Sequence, residues 1–125
     1  MSVSRKLTQG PVWAVLLALL PGPALAEWRV LSDAEIEGVL TGRTVVYDDV
    51  GWQIFTEAGR TAFHAGEARM GQTSLGDWIV RDGQSCQRWV RLGDWACYTV
   101  EYDGEDGVRF IDDHGNVSAG RFQAE

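Results

Sequence analysis

Two cysteines, two histidines, 18 acidic residues and six tryptophans make up most of the chemically capable inventory of this 125-residue chain. Cys86 and Cys97 stand eleven positions apart, which is not a CxxC redox motif, and His64 and His114 do not complete a zinc-site spacing with them. The pair reads as a disulfide closing a loop of 12 residues. If the two cysteines lie on one hairpin, residues whose numbers sum to 183 or 187 must oppose each other; a sum of 186 would put the sulfurs on opposite faces. A bridge therefore calls for an even-numbered loop around Leu92-Gly93. His64 follows Phe63 on an extended run, and Phe63 has the better claim to the inward parity, so His64 reads as solvent-facing. His114 lies in Asp112-Asp-His-Gly-Asn116, a run that turn chemistry alone explains. No GxSxG, HExxH, GxGxxG or GxxxxGK[ST] motif is present after residue 26, so no catalytic residue, cofactor or metal ligand is assigned.

The carboxylates suggest two chemistries. Glu101, Asp103, Glu105, Asp106, Asp112 and Asp113 crowd one segment with Arg109 among them, which reads as a solvated hairpin tip. Its functional alternatives are a Ca²⁺ site or a docking surface for a basic partner, but the segment lacks the ligand pattern of an EF-hand loop. A carboxylate pair, Asp77 or Asp94 with Glu101, would suit a small hydrolase. The aromatics carry more information. Twelve of the 13 fall after residue 26, and Gly76-Asp-Trp78 and Gly93-Asp-Trp95 repeat one tripeptide. Trp78 and Trp89 read as core packing beside the cysteines. Trp52 and Trp95, next to turn glycines, together with Tyr102 are the candidate ligand-binding residues.

These groups need a scaffold, and the chain supplies one domain after an address. Arg5 and Lys6, the apolar run Pro11–Leu20 and Ala24-Leu-Ala26 have the form of a secretory signal peptide over residues 1–26. The apolar run is about ten residues, against the roughly 20 that span a bilayer, so no membrane anchor should survive cleavage. Residues 27–125 then form a single domain, periplasmic or secreted, with nine arginines, no lysine and 18 acids, a charge of −9. That acidity argues against nucleic-acid binding, which needs a basic footprint, and the missing lysine excludes Schiff-base and P-loop chemistry. An oxidising compartment agrees with a disulfide.

Within the domain, Leu31-Ser-Asp-Ala-Glu35-Ile36 is a helix start with a capping box (Ser32, Glu35) and a hydrophobic staple (Leu31, Ile36). The helix should cover about residues 33–41 and lie over one end of the core. Turn signals then recur about every ten residues, separating runs at 44–47, 52–56, 61–65, 77–81, 86–90, 96–102, 108–111 and 117–122. The expected fold is mostly β: a small antiparallel barrel or sandwich of about eight strands, a meander of hairpins with one short N-terminal helix. Ala96, Tyr98, Val100 and Tyr102 share the apolar face of their run, whereas Ile54 and Phe55 ask for cover on both faces.

Gly42-Arg-Thr-Val45, Glu57-Ala-Gly-Arg-Thr61, Gly76-Asp-Trp-Ile-Val80, Asp82-Gly83, Cys86, Trp89, Cys97-Tyr98 and Gly120-Arg-Phe122 together resemble a group of small exported proteobacterial proteins of unknown function. Their pattern is a capped helix ending in GxTV, then GxWxVxxGxxCxxW and a second cysteine. The similarity spans most of residues 31–122, although Thr56-Glu-Ala-Gly59 replaces the group's aromatic-Asp-Gly turn. The resemblance implies a fold and an exported location and no reaction. Trp78 followed by Cys86 is also similar to barrel-type protease inhibitors. The sequence thus favours a non-enzymatic module that binds a small ligand or a basic envelope protein. An inhibitor of an envelope lysozyme or protease, or a carboxylate-dependent hydrolase, is the alternative.

Overall fold

The structure, a computed structural model, describes residues 27–66 and 71–124, so the expected signal peptide at 1–26 lies outside the described residues. A short strand, β1 (Arg29–Val30), leads into helix α1 (Asp33–Leu40), and eight strands follow: β2 (Arg43–Tyr47), β3 (Gly51–Phe55), β4 (Arg60–Ala65), β5 (Thr73–Arg81), β6 (Gln84–Trp89), β7 (Trp95–Tyr102), β8 (Gly107–Ile111) and β9 (Val117–Phe122). Each strand from β2 to β9 pairs antiparallel with its sequence neighbours, and β9 returns to pair with β2 through Val45↔Phe122 and Val46↔Arg121. The meander is therefore a closed eight-stranded barrel rather than a sandwich, with β1 added outside β7.

The local reasons for these elements are visible in the residues. Ser32 Oγ accepts from the Glu35 backbone N–H, and Glu35 Oε1 accepts from the Ser32 N–H at 2.9 Å, so the expected capping box is formed. Those hydrogen bonds, with Arg29 beside it, hold the Glu35 carboxyl below its ordinary range. Leu31, Ile36 and Leu40 are fully covered and plug the barrel at the end where β2 begins. Asp33 Oδ1 accepts from the Gly83 N–H at 2.6 Å and ties the plug to the β5–β6 turn. In that turn Asp82 and Gly83 both have positive φ (53° and 78°), the two-residue hairpin geometry that matches strand twist.

Strand alternation assigns the walls. Val45, Phe55, Trp78, Val100, Val108, Phe110 and Phe122 form the core with the helix residues. Phe55 packs edge-on against Trp78 and stacks on Phe110. Trp78 Nε1 donates to Thr56 O at 2.9 Å, which satisfies the polar atom of a buried indole. Val100 and Tyr98 face inward on β7, as their parity predicts, and Phe63 turns inward while His64 lies on the outer wall.

Two features depart from the sequence reading. Strand β5 begins at Thr73 rather than Asp77, pairing Phe63↔Ser74 and His64↔Thr73. Gly76, just ahead of the expected run, sits in mid-strand, where a Cβ would meet Arg88 O at 2.4 Å and the Trp89 ring at 3.0 Å. Ile54, expected to need cover, remains 38 % exposed on the outer wall, since closure leaves Phe55's face alone with a core to join.

The cysteines are joined, Cys86 to Cys97, directly opposite each other in a register whose pairs sum to 183. Six residues connect the last pair, Arg88↔Trp95, which is the even-numbered loop that a bridge requires. Cross-linking this hairpin should stabilise the fold by about 3 kcal/mol through the unfolded chain. The C86S/C97S double variant should lose about that much in denaturant unfolding; a loss below about 1 kcal/mol would show that the closed barrel already fixes the hairpin.

Candidate functional site

Because the meander is up-and-down, its turns alternate between ends. The helix, Thr56–Gly59, Asp82-Gly83 and Asp103–Asp106 share the sealed end, and the β2–β3, β6–β7 and β8–β9 connections, with the Ala65 end of β4 and the Thr73 end of β5, surround the other. Among the described residues that second end is open. A cavity of about 1180 Å³ enters the barrel there, walled by Tyr47, Phe63, Trp89, Tyr98 and Phe110, with Gln53 and Gln87 among the lining residues and Val50, Val90, Leu92 and Val117 around the mouth. Its volume lies slightly above the usual range for drug-sized ligand sites.

The interior reaches of the cavity are polar. Gln53 is 3 % exposed on β3, inward because it shares Phe55's parity. Its Oε1 accepts from the Tyr47 hydroxyl at 3.1 Å, and its Nε2 donates to Thr61 Oγ1 at 2.9 Å and to Gln87 Oε1 at 2.8 Å. Thr61 Oγ1 in turn donates to Ile54 O at 2.8 Å. A buried carboxamide left unpaired would cost several kcal/mol, on the order of 1–3 for each group, so this network is what permits glutamine inside the barrel. Burial pushes the Tyr47 phenol well above its ordinary value, with the nearby Tyr98 adding to the effect. Tyr98 is raised as well, by burial first and by the Asp112 carboxylate second.

Trp52, Trp95 and Tyr102 do not come together, and none of them lines this cavity. Trp52 is on the outer face of β3, 40 % exposed and stacked on His64 with ring centres 4.3 Å apart. Trp95 lies outside at the start of β7, under the Arg88 and Arg81 guanidinium groups. Tyr102 faces inward at the sealed end, packs on Phe122 and donates to Glu105 O at 2.9 Å. Trp89, read from the sequence as core, instead lines the cavity.

Four of the acidic candidates are engaged elsewhere. Asp77 is paired with Arg60 at 3.1 Å and with Arg88 at 3.3 Å, and Glu101 is paired with Arg109 at 3.3 Å. Asp103 Oδ1 accepts from the Glu105 and Gly107 N–H groups, and Asp112 Oδ1 from those of His114 and Asn116, so both close turns. Asp112 is held below its ordinary value by those bonds, the Asn116 contacts foremost. Among the described residues no three His, Cys, Asp or Glu side chains converge as a metal site, and no helix is long and apolar enough to cross a membrane.

Gln53 and Gln87 were not singled out in the sequence reading. The signal for Gln53 was its place two residues before Phe55, on the buried face; Gln87 shares a face with Ser85, itself 1 % exposed. Fold and cavity together define a small closed antiparallel barrel, sealed at one end by a helix and hollow at the other. Comparison with known protein families, curated proteins and solved structures finds no match to this chain.

The tyrosines give the site a pH signature. An unfolded chain releases phenolic protons near pH 10, whereas the folded barrel retains those of Tyr47 and Tyr98 to higher pH. The folded state then binds more protons, so stability is complete below about pH 10 and falls as pH rises above it. Lys6 is the chain's single lysine and precedes the domain, so tyrosine should dominate this limb. Urea midpoints measured from pH 8 to about 11.5 should fall in the wild type and fall less steeply in Tyr47→Phe; parallel slopes would contradict the burial of that phenol.

Proposed function

We propose that the protein is an exported, non-enzymatic binding module that holds a small ligand in the open end of its barrel. The observation that carries this reading is the hollow itself, a cavity of about 1180 Å³ with aromatic walls and polar amides in its interior. Side chains of that kind could close such a volume as core, and the sealed half of the same barrel does so with Phe55, Trp78 and Phe122. Among the described residues lining the hollow the one carboxylate is Asp48, and Arg121 holds it at 2.7 Å; no histidine or cysteine joins it. The hydroxyl–histidine pair at its edge, Thr73 Oγ1 with His64 Nδ1 at 2.8 Å, belongs to the outer wall, where His64 stacks on Trp52. Export is supported by the form of residues 1–26, by the disulfide, and by the resemblance to small exported proteobacterial proteins.

A second reading, inhibition of an envelope lysozyme or protease, is favoured by the β6–β7 tip. Val90 and Leu92 there are 70 % and 74 % exposed, large apolar side chains offered to solvent on either side of Arg91. A basic hydrolase would meet this tip on an acidic domain.

Native mass spectrometry of the protein recovered from its own envelope should show cleavage after Ala26, a two-dalton deficit for the disulfide, and a non-covalent small-molecule adduct. Binding of the neutral fluorophore N-phenyl-1-naphthylamine to the purified protein should be weakened at least about tenfold by Ser118→Trp, which places an indole in the cavity lining. An adduct-free protein that also ignores the fluorophore would reject the cavity as a ligand site, and a stoichiometric complex with a lysozyme or protease would then favour the second reading.

A further inference from the structure

The polarity of the cavity runs opposite to that of a simple apolar pocket. Its mouth is aliphatic and wet, with Val50, Val90, Leu92 and Val117 between 52 % and 74 % exposed, while its depth holds Gln53 at 3 %. The hydrogen-bond network also fixes which polar atoms remain available there. Both Nε2 hydrogens of Gln53 are committed, one to Thr61 and one to Gln87, so Gln87 must present its carbonyl oxygen to Gln53. The Gln87 amino group is left facing away from that bond, and among the described residues it meets no hydrogen-bond partner. The Tyr98 hydroxyl likewise has none among the described residues. Ladder register places these two side chains as diagonal inward neighbours, because Gln87 opposes Ala96 and Tyr98 lies two residues further along β7.

We propose that the cavity selects an uncharged amphipath over an anionic one, its neutral carboxamide or hydroxyl head received by the Gln87 amino group and the Tyr98 hydroxyl while its apolar body fills the aromatic walls and the aliphatic mouth. This rests on the open end being a ligand site. The pair supplies amide donors and a hydroxyl that both donates and accepts, which an amide or alcohol head completes. No cation faces them from the described lining: Arg91 is exposed at the mouth, and Asp48 is held at 2.7 Å by Arg121. An anionic head brought to this depth would lose its water without gaining a counter-charge, and the Asp112 carboxylate that acts on Tyr98 would oppose it. Burial also keeps the Tyr47 and Tyr98 phenols neutral at physiological pH, so they add no charge of their own.

Displacement of N-phenyl-1-naphthylamine by ligands that share one ten-carbon chain tests the head group directly. At pH 8, decanamide and 1-decanol should displace the fluorophore at about tenfold lower concentration than decanoate. Gln87→Met should bring the decanamide-to-decanoate ratio close to one, and Tyr98→Phe the 1-decanol-to-decanoate ratio, each ratio being read within one variant so that a change in the fluorophore's own affinity cancels. Tyr98→Phe removes a single oxygen, so it reports on the head group even where Gln87→Met disturbs the Gln53 network. Fluorophore binding with decanoate as effective as the neutral ligands would overturn the head-group assignment and leave the cavity reading standing. So would neutral-ligand affinities untouched by either substitution. Failure of the fluorophore and all three ligands to bind would overturn both.

Discussion

Pairing of β9 with β2 is the constraint on which the remaining structure depends. Two ladder pairs, Val45↔Phe122 and Val46↔Arg121, are reinforced where Gln123 N–H donates to Thr44 O at 2.9 Å. With the ring closed, no barrel strand is free to slip by one residue without turning its buried face to solvent. Close approach at the seam explains Gly120: a Cβ there would lie 2.7 Å from Val45 Cγ1 and 2.9 Å from Val46 O. Gly76 plays the same part opposite Trp89 on the far side of the ring. Two inward glycines set beside large inward side chains let eight strands close around a filled half and a hollow half.

Closure also explains how much of the molecule could be read from its residues. The capping box at Ser32 and Glu35, the turn signals and the Cys86–Cys97 parity are local, and each survives intact because a local rule sufficed. The same is true of Phe63 and His64, whose order on the strand decides their faces. The barrel rather than the sandwich was not decidable this way, since it turns on one pairing between residues more than seventy positions apart. The role of Gly76 was out of reach for a related reason, since it depends on the opposing Trp89.

The candidate site was harder still. Adjacency to turn glycines located Trp52 and Trp95 near strand ends but said nothing about which wall they occupy, and both are outside, against His64 and against arginines. Tyr102 faces inward, but at the sealed end of the barrel. The cavity is instead marked by Gln53 and Gln87, residue types that ordinarily face water. Their meaning depends on three strands at once: Gln53 on β3 reaches Thr61 on β4 and Gln87 on β6, which no window of sequence brings together.

The two halves of the barrel are therefore complementary in energetic terms. Leu31, Ile36 and Leu40, each 2 % exposed or less, plug the sealed half, and full burial of such side chains contributes about 1.5–3 kcal/mol apiece. Around them Val45, Phe55, Trp78, Val100, Val108 and Phe122 make a continuous apolar core. The disulfide stands on the outer face of the β6–β7 hairpin, and that hairpin also carries Gln87, Trp89 and Tyr98 toward the cavity. It holds the hairpin where Ser85 and Gln87 stand at inward positions in place of hydrophobic residues. A domain of about 100 residues has little stability to spare, and a partly polar hollow contributes less apolar burial than a filled core would. Concentrating the apolar burial at the helix end and cross-linking the hairpin beside the hollow allows the open half to stay open.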